Sequence, residues 1–343
     1  MTDVYQIAGD IGSPYSMKMR ALLRYRRLPF IWCQINPKLR EEITHVKPPV
    51  IPVIKFPDDG IWHVDSTPMA YELEAKHAGQ RSIIPDDAGL SFLSHLIEDM
   101  ADEWMTKMMY HYRWWREPDQ KFCSYWLAVS HTGFAPEEAT LAVAEFVRER
   151  QVSRLALVGS TETTKPIIEE SFLEVVDIFD HHLRENRFLF GSRPSLADFG
   201  VFGQFSQLNH DPTSQGIIRE KSPRFSSWID QLDDASGLEE GEWIDPTQSL
   251  PLSVIRLLKM AGDVYLPFLI ANAEALNKGE ETFSVTLMNR MYQQGTFKYQ
   301  LKCLNWLREE YSQLQGAPKE RVDLVLSETG CLPFFSQKPE HSA

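Results

Sequence analysis

The sequence predicts an α/β domain of order βαβ-ββα joined to an all-α region that carries a helical C-terminal extension. Three observations predict it. Short apolar runs at 4–8 (VYQIA) and 30–34 (FIWCQ) flank a helical stretch, and the turn string Pro57-Asp58-Asp59-Gly60 separates two further apolar runs. From about Leu90 onward the convincing patterns have helical period.

The first two runs read as short buried strands, with a helix between them from Pro14 to about Arg27. It opens after the loop Gly9-Asp10-Ile11-Gly12-Ser13. A strand-helix-strand crossover makes the strands parallel and right-handed. It leaves that loop at the carboxyl end of the first strand, where open α/β sheets bind ligands. After a basic stretch (Lys38, Arg40, His45, Lys47), VIPVIKF at 50–56 and IWHV at 61–64 form a hairpin around Asp59-Gly60. Pro52 cannot donate to a strand ladder, so it is expected where the strand begins, with a cis bond. Asp65 or Ser66 is the N-cap of a helix through Met69 and Leu73 that ends near Gly79.

Further helices are expected near 90–116, 137–155, 167–186, 195–209 and 224–232, broken at Glu117-Pro118, 133–136 and 159–166. Ser195-Leu196-Ala197-Asp198 is a capping box in its Asp form, with Pro194 and Phe199 at hydrophobic-staple positions. Residues 233–251 are acidic and broken by Gly and Pro, as in a linker. Beyond them come helical patterns around 251–277, at 297–314 with Leu304, Leu307, Tyr311 and Leu314 on one face, and a short one ending at Gly330. The expected domains are 1–80, 88–235 and 250–335. The last packs on the second, because apolar stripes of this kind do not stay exposed.

A chain of 343 residues, 43% hydrophobic and 24% charged, is long enough for more than one core. Its net charge of -13 repels nucleic acid phosphates and anionic lipid, so nucleic acid is not an expected partner. No apolar stretch approaches the roughly 18 residues of a membrane span, so no integral membrane segment is expected. With Asp3 and Asp10 and no basic start before an apolar run, the first twenty residues do not read as a secretory signal. A cytoplasmic location is the expectation. Cys33, Cys123, Cys303 and Cys331 lie far apart, without metal-ligand spacing, and predict free buried thiols and no metal site.

GSPYSMKMRALLRYRRLPF at 12–30, VIPVIKFPDDGIWHVDST at 50–67 and RPSLADFGVFGQF at 193–205 resemble, in this order, the glutathione transferase superfamily. The resemblance covers roughly residues 4–232 and implies a thioredoxin-like N-terminal domain followed by a glutathione-transferase-type helical domain. The strings ADEW and YHYRW also look like a bacterial branch bearing a long C-terminal extension.

In that family the residue between the first strand and the first helix holds the glutathione sulfur, and Ser13 matches the serine of the Ser-type classes. A hydroxyl there does not act as a base at neutral pH. A donated hydrogen bond, aided by the positive end of the following helix, favours thiolate over thiol. Helix capping by Ser13 ahead of Pro14 is the plainer alternative. Tyr15 and Ser16 offer hydroxyls nearby, and Tyr5 a phenol inside the strand.

The resemblance further implies that the backbone of Ile51, before Pro52, pairs with the cysteinyl part of glutathione as an added strand would. It also implies that Asp65 and Ser66 meet the ammonium and carboxylate of the γ-glutamyl end. Capping of the following helix is again the alternative. Val50 and Ile51 stand where the family often carries a basic residue for the glycyl carboxylate. Lys38, Arg40, His45 and Lys47 are candidates to replace it.

On the helix near 90–116, Trp104, Met108, Tyr112 and Trp115 share a stripe suited either to a hydrophobic second substrate or to core packing. The same helix carries Glu103, His111 and Arg113, a polar set that a core helix does not need. The function implied is a glutathione transferase-like enzyme. Its thiolate would attack a small hydrophobic electrophile by conjugation, reduction or cleavage, with glutathione as co-substrate and a homodimer as the assembly. The alternative is a non-catalytic binding protein of the same fold.

Overall fold

The structure, a computed structural model, describes residues 4–335; Asp3, used above, lies outside the described residues. The N-terminal elements are β1 (Tyr5–Gly9), α1 (Pro14–Tyr25), β2 (Phe30–Gln34), α2 (Pro37–Glu42), β3 (Val53–Lys55), β4 (Trp62–Val64) and α3 (Ser66–Lys76). The sheet has the order β2-β1-β3-β4, with β1 parallel to β2 and antiparallel to β3. This is the thioredoxin-like arrangement, and β1, with a strand on each side, is buried at four of its five residues. β2 was expected to be buried. It is instead an edge strand with Ile31 54% exposed, since among the described residues no strand pairs with its outer side.

The helices that follow are α4 (Ala88–Met100), α5 (Thr106–Trp114), α6 (Glu117–Thr132), α7 (Glu137–Val152), α8 (Lys165–His182), α9 (Leu196–Leu208), α10 (Pro212–Lys221) and α11 (Pro223–Leu232). α4 runs into α5 through a π-helical turn, Ala101–Met105. Two of these helices depart from the sequence reading. Glu117-Pro118 opens α6 rather than breaking the chain, because a proline in the first turn removes an N–H that has no helical acceptor. α10 likewise opens on Pro212.

Past the linker come α12 (Leu252–Met260), a second π-helical turn (Ala261–Tyr265), α13 (Leu266–Asn277), β5 (Thr282–Leu287), β6 (Arg290–Gly295), α14 (Lys298–Gln313), α15 (Gly316–Glu328) and α16 (Leu332–Phe335). The extension is therefore not wholly helical. β5 and β6 form an antiparallel hairpin in which Leu287 pairs with Arg290 across Met288 and Asn289, both at positive φ. That geometry is a type I′ turn without its usual glycine.

Packing gathers segments from along the chain into two units. The first comprises residues 4–83, 112–153 and 199–240. The second comprises 84–111, 154–198 and 241–335. In the second unit, α12 lies against α8, and α14 and α15 lie against α4. Asp198 starts α9 as a reversed cap. It accepts from the Ser195 amide at 2.8 Å, the Ser195 hydroxyl at 2.6 Å and the Leu189 amide at 3.0 Å. Among the described residues no helix is long and apolar enough to cross a membrane.

Candidate functional site

Register fixes which loops meet. Ala8 pairs with Val53, and Val53 pairs with Val64. The end of β1, the start of β3 and the end of β4 therefore lie at one end of the sheet. Gly9–Ser13, Ile51-Pro52 and Asp65-Ser66 leave the sheet from that end.

Ser13 is the N-cap of α1, with Pro14 in the first turn, and its Oγ accepts from the Ser16 amide at 3.3 Å. It is half-buried, as is Tyr15. Ser16 is buried and its Oγ accepts from the Asp10 amide at 3.3 Å. Tyr5 packs edge-on against Phe56 and its hydroxyl is 2.8 Å from His77, away from the loop end of its strand.

The Ile51-Pro52 bond is cis, β3 begins just after it, and the Ile51 side chain packs on the small core of Ala8, Ile35, Val53 and Trp62. Asp65 is the N-cap of α3 at φ 82 and ψ 110, and its side chain makes no capping hydrogen bond. A non-glycine residue at such a φ costs of order 1–3 kcal/mol and is held only where its surroundings dictate it. Ser66 opens the helix and is buried. Lys38, Arg40, His45 and Lys47 are exposed on α2 and the turn after it, and Val50 is exposed as well.

The loop before Ser13 is held by residues that the sequence reading did not assign to the site. Asp10, 3% exposed, accepts from the Gly12 amide at 2.7 Å through Oδ1; its Oδ2 takes Gln34 Nε2 at 2.9 Å and lies 2.7 Å from His131 Nε2. Burial pushes its carboxyl up, but His131, the Gly12 amide and Gln34 outweigh burial and hold it below the usual carboxylate range. Arg113 Nη1 donates to the Gly12 carbonyl at 2.8 Å, and Gln207 Nε2 to the Ile11 carbonyl at 3.1 Å. Only Arg113 carried a sequence signal, as a charge on an otherwise aromatic helix.

Of the two uses open to the aromatic stripe, burial favours core packing. Trp104 and Met108 are fully buried and Tyr112 nearly so; the Trp104 ring meets Phe268 and Tyr292 at centroid distances of 5.5 and 5.4 Å. The extension supplies both rings. These side chains are core, not the wall of an open pocket.

The polar partners of the stripe are buried in the second unit too. Gln300 Nε2 donates to Glu103 at 3.2 Å and Lys107 Nζ to Gln294 at 2.7 Å, while the Tyr265 hydroxyl donates to Asp99 at 2.6 Å. Burial pushes the Glu103 carboxyl up and the Lys107 ammonium down, each opposed by the other's charge. Of the thiols, Cys33 is half-buried and the other three are buried, all free. No group of His, Cys, Asp and Glu among the described residues is arranged to hold a metal.

A thioredoxin-like sheet with loops gathered at one end, followed by a helical domain and extra C-terminal helices, is the glutathione-transferase type of architecture. The family model for the glutathione S-transferase N-terminal domain matches residues 9–81, and that for the C-terminal domain matches 144–231. The chain belongs to the glutathione S-transferase superfamily.

Solved structures similar to it include the tau-class glutathione S-transferase of mango, Mangifera indica. That protein is 16% identical over 67% of this chain and 88% of its own, with a TM-score of 0.40. The beta-etherase LigF of Sphingobium sp. strain SYK-6 is 15% identical over 67% of this chain and 94% of its own, TM-score 0.45. A glutathione transferase of Phanerochaete chrysosporium is 12% identical over 70% of this chain and all of its own, TM-score 0.48. A sequence comparison with curated proteins finds no match.

Proposed function

We propose that the chain is a glutathione transferase-like enzyme in which Ser13 stabilises the glutathione thiolate for attack on a small hydrophobic electrophile. The observation that supports this most is the shared sheet end. The register of β1, β3 and β4 gathers a hydroxyl at a helix N-terminus, a cis-proline strand start and an acidic residue followed by a second helix N-terminus. Those groups match the thiol, the cysteinyl backbone and the γ-glutamyl end of one extended tripeptide.

In this reading the Ser13 hydroxyl donates to the sulfur, and the α1 N-terminus adds a favourable potential. The thiol proton leaves to solvent, and the sulfur lone pair forms the bond to the electrophilic carbon while that carbon's bond to its leaving group breaks and the group departs with the electron pair. Asp65 meets the ammonium, and Ser66 with the α3 N-terminus meets the adjacent carboxylate. The positive φ of Asp65, a strained backbone that capping alone does not require, favours a ligand role over capping. A homodimer in the cytoplasm is the setting this reading implies.

Isothermal titration with glutathione at neutral pH tests the reading directly. A saturable heat with a dissociation constant below about 1 mM, or at least −4 kcal/mol, is expected. Flat heats up to millimolar glutathione would end it.

A further inference from the structure

We propose that His131 is a positioning residue for the thiol contact at Ser13: from α6 it holds the Asp10 carboxylate, which holds the Gly12 amide and so the start of α1. The inference rests on the role proposed above for Ser13.

Three groups converge on one buried carboxylate. Oδ1 takes the Gly12 amide at 2.7 Å; Oδ2 takes Gln34 Nε2 at 2.9 Å and has His131 Nε2 at 2.7 Å. The Gly12 amide and Gln34 donate to this carboxyl and hold it, with His131, below the usual carboxylate range; as a charged acceptor it faces the Nε2–H form of His131, because a protonated Asp10 would turn one acceptor into a competing donor. The Gly12 bond closes an Asx turn whose last step is the Ser13 amide on the Asp10 carbonyl at 3.0 Å. Ser13 Oγ is therefore aimed by a turn that Asp10 builds with its own side chain.

Of the two tethers on Oδ2, Gln34 belongs to β2, and its Nε2 also donates to the Ser130 hydroxyl of α6 at 3.0 Å. His131 comes from the last turn of α6, 121 residues away in sequence, with its side chain 26% exposed. The same helix backs directly on the loop. A Cβ added at Gly12 would lie 2.1 Å from Leu127 Cδ2 and 3.4 Å from the Trp126 ring. Position and charge point the same way. A carboxylate three residues before Ser13 opposes a thiolate there, and an imidazole N–H on its outer oxygen weakens that opposition.

The experiment compares the parent with His131→Leu and His131→Gln. Amide exchange at Gly12 and Ser13 is followed by NMR, and turnover and the ionisation of bound glutathione by thiolate absorbance. In His131→Leu, exchange at Gly12 should rise on the order of tenfold while α6 stays protected. Its kcat should fall about tenfold with KM for glutathione within about twofold, because a loosened Ser13 misplaces the thiol contact rather than the ligand. His131→Gln keeps an N–H where Nε2 stands and should restore both.

Unchanged exchange and kcat in His131→Leu would overturn the proposal. So would a His131→Gln protein as impaired as His131→Leu. Should the parent bind no glutathione in the titration above, the transferase reading falls, and the exchange comparison still decides whether His131 holds the loop.

Discussion

Arg113 grips Asp211 with two parallel hydrogen bonds, Nε to Oδ2 at 2.7 Å and Nη2 to Oδ1 at 3.0 Å, and both residues are buried. Burial works against each charge. The partner's charge and the hydrogen bonds made to each group together outweigh it, holding the guanidinium above and the carboxyl below its ordinary range. The remaining Nη1 is then aimed at the Gly12 carbonyl, so the pair anchors the loop that presents Ser13.

Arg113→Met should cost about 3–5 kcal/mol, because Asp211 would be left as an uncompensated buried charge. Urea unfolding of the parent, Arg113→Met and Arg113→Met/Asp211→Leu measures this. The double variant should regain most of the loss, since replacing both charges by apolar groups removes the desolvation penalty together with the attraction. A single variant within about 1 kcal/mol of the parent would mean that Asp211 takes up a proton or finds another donor.

Ser13→Ala separates chemistry from capping. The Ser13 cap on the Ser16 amide is worth about 1 kcal/mol, a modest loss in thermal stability. Turnover should fall and the bound thiol should ionise at higher pH, each unit being about 1.4 kcal/mol, while the glutathione dissociation constant stays within about threefold. Unchanged turnover would move the thiol contact to Tyr15 or Ser16.

Local pattern made much of the fold readable, and long-range pairing made much of the site unreadable. The βαβ crossover and the Asp59-Gly60 hairpin follow from period, turn chemistry and proline, all of which act within a few residues. The same proline rule misled at Glu117-Pro118, where position in the first turn, not the residue, decides whether a helix breaks. With α6 unseen, His131 had no element to stand on.

The β5–β6 hairpin was missed for a different reason. Phe283, Val285 and Leu287 do alternate toward the core side, but the turn is Met288-Asn289, without the glycine that announces it. The aromatic stripe of α5 and the turn before it was legible as apolar and ambiguous in use. Its partners Phe268 and Tyr292 come from segments more than 160 residues away, which no local pattern reveals.

His182 predicts an acid-sensitive second unit. Burial pushes its imidazole down to about 4; its Nδ1 lies 2.6 Å from the Ser253 hydroxyl at the start of α12. In the unfolded chain the imidazole takes a proton below about pH 6.5, whereas in the folded chain it does so only near 4. The unfolded state thus binds more protons in this window. The contribution is complete above about pH 6.5 and is lost as the pH falls toward 4, by roughly 3 kcal/mol. Urea midpoints from pH 7 to 4 should fall less steeply for His182→Asn than for the parent. Parallel curves would assign the acid loss to other groups.

The extension should be inseparable from the second unit. Phe268 and Tyr292 bracket Trp104, Gln294 receives the Lys107 ammonium, and α12, α14 and α15 cover α8 and α4. A chain ending at Asp245 would bare those faces. It would return Trp104 to water at roughly 3 kcal/mol, and leave Lys107 without its amide partner. Aggregation on expression is the expected result, read by size-exclusion chromatography. Because a truncated chain that fails to fold says little about which contact mattered, Phe268→Ala in the full chain provides the second measurement. It removes one face of the Trp104 contact and should cost about 3–5 kcal/mol. A chain ending at Asp245 that is monodisperse and as heat-stable as the parent, together with a Phe268→Ala protein that loses under 1 kcal/mol, would show that the extension folds independently of the helices it covers.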